Sequence, residues 1–394
     1  MPRPHVVYVV PDKMGGMMNI IAHLLEHRRD DGFDHHAVLT HNHRSTDTRF
    51  GGALAATTQT TVEYSLPDEN LHAVMRRLAR AIPEGPGVVV AGDLLDLAML
   101  STHDVGKAVV LMLHGDSDYY YDLARKHDHV IHAFIAYSRR MHDRLADVLP
   151  HRRDDILHLP YGIPMPARTR SPRRPGDPLR LVFSGRLEHG QKGVFDLPLI
   201  DAALKDHRSE ATWTIIGSGP DEETLRDLWP ESDRVAYVGR LPNSAVVDAL
   251  ATHDVFVLPT RSEGFPVALL EAMACGLVPV VSAIDSGVPE VVHDGVTGFL
   301  PPVGDVAAFA AAIDGLDRDT ARLEAVSRAA AEATRQAYDV RTRVAAYHAL
   351  YAGYLDLYRP LSPQARLQYG SRLDRPWIPN PLVRFVRSTI RGSR

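Results

Sequence analysis

Two cations and two carboxylates carry most of the chemistry legible in this chain. Arg186 and Lys192 lie in the string GRLEHGQKG, which follows the apolar run LRLVFS. Basic side chains on a glycine-punctuated loop at a strand end are natural phosphate ligands, because fixed positive charge meets an anion without reorganising. Gly185 precedes the arginine, and Gly190 and Gly193 keep the loop compact. Further on, PTRSEGFPVALLE (259–271) holds Glu263 and Glu271, eight positions apart. That separation is too large for a same-face helical pair. Glu263 is expected in a turn and Glu271 about a turn and a half inside the helix VALLEAMACG, so that both reach one extended ligand. A carboxylate accepts two hydroxyl hydrogen bonds well.

A second set of candidates lies in the first half. His114 ends the apolar run AVVLML and opens the turn HGDSDYY, where a histidine is placed to donate a hydrogen bond to a ligand. The chain has 21 histidines, so most must be surface or packing residues. Gly15 and Gly16 stand between the strand His5–Val10 and a helix over Asn19–His27. They let the backbone approach a ligand with helix N–H groups facing it, although a plain tight turn uses the same residues. Asp116-Ser117-Asp118 has the spacing with which two carboxylates share a hard cation. Capping of the helix that begins at Asp118 is the expected use, so no metal is assigned. Tyr119, Tyr120 and Tyr121 either line an acceptor pocket or pack.

These residues need strand ends and helix starts to position them. Strands are expected at His36–Thr40, Val88–Ala91, Ala108–Leu113, Phe134–Tyr137 and Ile156–Leu159, with helices at Asn70–Ala81, Asp118–Lys126 and Arg139–Val148 between them. Ser138 is the expected cap of the last. The threonine-rich stretch Asn42 to Pro67 is expected to be irregular. Pro164 to Pro178 reads as a linker, too short and too poor in aromatics for a nucleic-acid arm. Beyond it come a β-turn-helix unit at TIIG with Gly217 and Gly219, then two strands around a helix from Arg234 to Thr260. Val255–Leu258 leads into the acidic turn. Helices follow at Asp305–Leu316, Ala321–Ala333 and Val340–Tyr358. Such alternation predicts an α/β protein with parallel sheets covered on both faces. The expected division is 1–165, a linker at 166–178, 179–340, and 341–394 as a crossing helix with a basic tail.

The string EGFPVALLEAMACGLVPVVS resembles the E-x7-E signature of the large family of retaining, nucleotide-sugar-dependent glycosyltransferases with two Rossmann-like domains facing across a cleft (GT-B architecture, family 4-like). Glu263, Gly264, Phe265, Leu270, Glu271, Ala272, Gly276, Pro279 and Val280 carry it. The resemblance implies a UDP- or GDP-sugar donor, an acceptor hydroxyl, retained configuration and no required metal. It places Gly15 and Gly16 against the donor diphosphate or the acceptor, and His114 on the donor sugar. Arg186 and Lys192 stabilise the leaving diphosphate, and Gly217 is assigned to the same donor side. Arg240 and Leu241 border the base. Glu263, Gly264 and Phe265 meet sugar and diphosphate, the backbone from Gly264 through Pro266 to Val267 offers phosphate donors, and Glu271 meets the ribose. The chain departs from the family at PYGIP, with Tyr161 and Pro164 where asparagine and aspartate are usual. Alternatives are a non-catalytic nucleotide-sugar-binding module or a sugar phosphorylase or synthase. An oxidoreductase lacks its G-x-G-x-x-G after the first strand.

Composition is globular: 394 residues, 45% hydrophobic, 24% charged, formal charge −5. Length predicts two domains. The one cysteine, Cys275, excludes an internal disulfide and suits a reducing compartment. The chain shows no signal-like start and no apolar run of transmembrane length, so a cytoplasmic location is expected, and its many arginines and alanines fit a bacterial source. From Leu361 to Arg394, seven arginines face one aspartate. This tail is expected to pack on the first domain, with weak peripheral contact to an anionic membrane as the alternative.

Overall fold

The computed structural model describes residues 3–174, 176–360 and 369–392. The chain forms two compact units, one running up to Gly162 and resuming from Val340, the other Ile163–Asp339.

The first unit is built on β1 (His5–Pro11), β2 (Asp34–Asn42), β3 (Thr58–Tyr64), β4 (Gly87–Ala91), β5 (Ala108–Met112), β6 (Ala133–Ala136) and β7 (Ile156–His158). All pair in parallel, in the order β3-β2-β1-β4-β5-β6-β7. Strands β4 and β5 are valine-rich and buried throughout, as strands covered on both faces must be. Helices α1 (Gly16–Glu26), α2 (Leu71–Ala81), α3 (Leu94–Leu100), α4 (Asp118–His127) and α5 (Arg139–Val148) make the connections. The order reverses between β1 and β4, which opens a crevice at their carboxyl ends.

The stretch 42–67 is more regular than expected, because β2 runs on to Asn42 and TQTTVEY forms β3. Only Val62 of that edge strand is buried, so the apolar alternation that announces a strand is missing. At the other end of the chain the crossing helix is interrupted at Gly353, giving α14 (Val340–Ala352) and α15 (Tyr354–Leu357). Tyr347 of α14 donates to the Leu159 carbonyl. The tail helix α16 (Asn380–Gly392) packs on the first unit as well. Asn380 accepts from the Asn70 backbone at 2.8 Å, and Arg387 pairs with Asp374, whose carboxylate accepts from the Leu71 N–H. Residues 361–368 of the arginine-rich stretch lie outside the described residues.

The second unit holds β8 (Arg180–Ser184), β9 (Thr212–Ile216), β10 (Val235–Gly239), β11 (Val255–Leu258) and β12 (Val278–Val281), again all parallel, in the order β10-β9-β8-β11-β12. Its helices are α6 (His189–Lys192), α7 (Asp196–Asp206), α8 (Glu222–Leu228), α9 (Asn243–Leu250), α10 (Val267–Ala274), α11 (Val288–Val291), α12 (Val306–Arg318) and α13 (Thr320–Tyr338). The reversal here falls between β8 and β11. The proline-arginine segment before β8 runs along this unit. Its Arg170 is buried and paired with Asp254 at 2.8 Å and Glu324 at 2.5 Å, while Arg180 takes the same Asp254 through two nitrogens.

Candidate functional site

Each unit gathers its chemistry at the carboxyl edge of its sheet, beside the strand-order reversal. In the second unit the loop after β8 is stitched to the loop after β11. Arg261 N–H donates to the Gln191 carbonyl at 2.8 Å, and the Thr260 hydroxyl donates to the same carbonyl at 2.9 Å. Gly193 makes this possible. Its φ is 66°, and a Cβ there would stand 1.9 Å from the Pro259 carbonyl oxygen. The stitching brings Lys192 and Glu263 together as an ion pair at 2.5 Å, both largely shielded from solvent. The Thr260 hydroxyl lies 3.0 Å from the same Glu263 oxygen. Two residues of opposite sign, assigned separately to phosphate and sugar from the sequence, are therefore one structural element.

The other second-unit residues assigned to the donor from the sequence lie in the loops after β8, β9, β10 and β11 and in α10. Arg186 is mostly exposed and rests 3.2 Å from Glu188, leaving its guanidinium at the surface of the loop. Gly217 (φ 135°) lets the ends of β8 and β9 touch: a Cβ there would fall 1.8 Å from the Gly185 carbonyl oxygen, which accounts for the glycine by packing alone. Arg240 is exposed, its Nε 3.2 Å from the Ser218 hydroxyl, with Leu241 half-buried beside it. The Gly264 carbonyl accepts from Gly287 N–H, tying in the turn that holds Asp285 and Ser286. Phe265 is buried against Tyr338, Pro266 takes the N-cap position of α10, and Val267 opens that helix. Glu271 is buried in the second turn of α10, eight residues from Glu263 as the loop-helix reading requires.

In the first unit, Gly15 is the N-cap of α1, and a Cβ there would meet nothing within 4 Å, so open space faces the start of the helix that Gly16 begins. His114 follows β5. Its Nδ1 lies 3.2 Å from the Tyr137 hydroxyl, and its ring lies over Gly92, where a Cβ would stand 2.8 Å from Nε2 and Cδ2. Burial, and then the nearby Lys13 ammonium, lower the His114 pKa to about 3, so the ring is neutral at physiological pH. Burial raises the Tyr137 pKa well above its usual value, keeping that hydroxyl protonated. The direction of the Tyr137–His114 bond follows the His114 tautomer: in the tautomer in which Tyr137 donates to Nδ1, the ring proton sits on Nε2, the nitrogen beside Gly92.

A polar crevice adjoins this group, lined by Asp12, Lys13, Asn42, Asp47, Tyr64 and Asp93 among others. Asp12 is buried and holds the Arg49 guanidinium at 2.7 Å and the Gly51 N–H, fixing the loop that precedes β3. Asp93 and Asp96 form a capping box at the start of α3. Burial, then the neighbouring Asp93, raises the Asp96 pKa to about 7. Tyr119 donates to Asp93. Gly92, Asp93, Tyr137 and Thr260 escape the sequence reading. The D-x-x-D spacing after the β4 valines was the available signal for Asp93.

The D-x-D triplet has a different use from the one expected. The α4 cap position is Ser117, and neither aspartate caps the helix through its side chain. Asp116 accepts from Arg140 at 2.8 Å, Arg144 at 3.0 Å and Tyr121 at 2.7 Å, and Asp118 pairs with Arg144. The arginines that claim these oxygens come from α5, too far along the chain for local spacing to announce them.

Residues 178–319 match the family model of group 1 glycosyl transferases. The amylovoran biosynthesis glycosyltransferase AmsK of Erwinia amylovora is 37% identical over 162 residues, 39% of this chain and 39% of that protein. The sulfoquinovosyl transferase SQD2 of Arabidopsis thaliana is 37% identical over 142 residues, 35% of this chain and 27% of that protein. The chain thus spans less than half the length of these curated relatives. Solved structures extend the likeness over both units. HepE of Anabaena, in complex with UDP and glucose, superposes with TM-score 0.70 at 17% identity, covering 88% of this chain and 99% of that one. Sucrose-phosphate synthase from Thermosynechococcus elongatus gives TM-score 0.70 at 16% identity, covering 89% and 98%. The fold is the GT-B type, two Rossmann-like units each with a parallel sheet.

Proposed function

We propose that this protein is a retaining glycosyltransferase that moves a hexosyl-type group from a UDP- or GDP-sugar to an acceptor hydroxyl. The Lys192–Glu263 pair, braced by Thr260 at the switch point of the second sheet, is the observation that carries this reading. The ammonium has three donors and Glu263 takes one, leaving the others for diphosphate oxygens. Arg186 supplies a second cation from an exposed position suited to closing on a ligand. As the glycosyl–phosphate bond breaks, charge grows on the leaving diphosphate, and cations held in place stabilise it most at that moment. Neutral His114 donates from Nε2 to a sugar hydroxyl, Glu263 and Glu271 accept from sugar and ribose hydroxyls, and Arg240 and Leu241 border the base. The leaving phosphate oxygen assists deprotonation of the acceptor on the same face, so no side chain need become covalently attached. The donor is held by protein groups alone, without a required metal.

A thermal-shift screen of UDP- and GDP-sugars is the direct test. One nucleotide class is expected to raise Tm by several degrees at saturation, with the rise reduced in Arg186→Ala and Glu271→Ala. No response of the wild-type protein to either class would sink the proposal.

A peripheral membrane contact is a further part of this reading. Helix α16 is held through Val383 and Arg387, yet exposes Leu382, Phe385 and Ile390, with Trp377 and Arg384 exposed nearby. Apolar anchors beside arginines suit an anionic bilayer surface. Among the described residues no helix is long and apolar enough to cross a membrane. Sedimentation with anionic vesicles at low salt should pellet the protein, and Phe385→Ser should release it. Equal recovery with neutral vesicles would argue against the contact.

A further inference from the structure

At the other end of the first sheet, away from the ligand-facing edge, Asp31, His35 and His348 converge. Asp31 lies in the turn before β2, His35 is the second residue of β2, and His348 comes from α14, so the cluster joins segments separated by most of the chain. We propose that these three residues bind a divalent transition-metal ion of the zinc class, a structural site that clamps α14 onto the amino-terminal end of β2.

The geometry is that of a ligand set. Asp31 Oδ2 lies 3.1 Å from His35 Nε2 and 3.3 Å from His348 Nδ1, and all three donor atoms fall within 4.8 Å of one another. Tetrahedral zinc with ligand bonds near 2.0–2.1 Å places neighbouring donors about 3.3 Å apart. Both rings aim one nitrogen at the same carboxylate oxygen. The opposite nitrogens, His35 Nδ1 and His348 Nε2, are buried without a hydrogen-bond partner among the described residues. Neither reading partners those two atoms, but at the nitrogens that face Asp31 a metal bond returns far more than the single hydrogen bond each ring makes there.

The surroundings suit a metal. Tyr8 stacks near His35, and Tyr351 lies beside His348, giving an aromatic wall. Asp31 itself borders an open groove with Glu26, Arg28 and Asp34, which provides a route for the ion. Arg28 faces both rings and opposes a bound cation, while Asp31 and Asp34 offset it. Three protein ligands leave a fourth position for water. The proposal does not depend on the transfer reaction, since β2 separates this end of the sheet from the crevice.

The test uses the full chain after treatment with chelator. One equivalent of Zn2+ is expected to raise Tm by about 3–8 °C, Co2+ to bind with one-to-one stoichiometry and visible absorption of a tetrahedral site, and Mg2+ to do neither. Asp31→Asn, which preserves shape, and His348→Gln should each abolish both responses while leaving the nucleotide-induced shift unchanged. Should His348→Gln fail to fold, Asp31→Asn decides alone. Absence of a stoichiometric Co2+ spectrum in the wild type, or the same spectrum in Asp31→Asn, overturns the site and leaves the cluster a hydrogen-bond network only.

Discussion

Lys192→Met is expected to lower the rate of sugar transfer by about 10²–10³-fold, the usual consequence of losing one fixed group from a site where charge develops. The same change removes the cation 2.5 Å from buried Glu263, so it should also destabilise the second unit. These two effects must be separated, because a misfolded loop would also be inactive. The double variant Lys192→Met with Glu263→Gln does this. It leaves no unpaired buried charge, and the amide made by Glu263→Gln can donate to the Thr260 hydroxyl while that hydroxyl donates to the Gln191 carbonyl. Thermal melts are expected to show the double variant recovering most of the Tm lost by Lys192→Met. Single-turnover rates should show no recovery of transfer. If the double variant regained activity along with stability, Lys192 would be a structural partner of Glu263 and nothing more.

The pairing in that prediction was not legible in the sequence, although both of its members were. Arg186, Lys192 and Glu263 stand out because each sits beside a glycine in a loop after an apolar run, and Glu271 because it is the one charge in the apolar helix that follows, all local signals. That Lys192 touches Glu263 depends on β8 lying next to β11, which is set by strand order across the sheet and leaves no trace in local spacing. The same limit explains Asp116, which does not cap its own helix but accepts from two arginines on the following one, besides Tyr121. Strand β3 was hidden for a different reason. An edge strand of TQTTVEY buries one side chain, so the pattern that marks a half-buried strand is absent. Gly92 was invisible because its importance lies in what is stacked above it. The apolar strands and the amphipathic helices, by contrast, could be read almost directly, since burial on both sheet faces demands continuous valine and isoleucine.

His114→Ala should reduce transfer by about 10²-fold if the ring donates to the sugar in the transition state. Gly92→Ala makes a sharper probe. It leaves every polar group in place, yet its Cβ would stand 2.8 Å from the His114 ring, which Tyr137 holds from the other side. The ring must move, so Gly92→Ala is expected to lower kcat in the same direction as His114→Ala, and the two together to cost little more than the larger alone. The pH behaviour gives a second, independent readout. Folding lowers the His114 pKa from 6.5 to about 3, so the native protein binds fewer protons there than the unfolded chain. The stability contributed by this difference is present above pH 6.5 and is lost as pH falls from there toward 3. Wild type should therefore lose more stability than His114→Ala between pH 7 and pH 5, by about 2 kcal/mol, and show a correspondingly larger fall in Tm. The transfer rate should show no acidic limb from this imidazole between pH 5 and 8. A limb near pH 6.5 that vanished in His114→Ala would mean that the ring is charged and exposed in the working enzyme, and the neutral-donor role would fall.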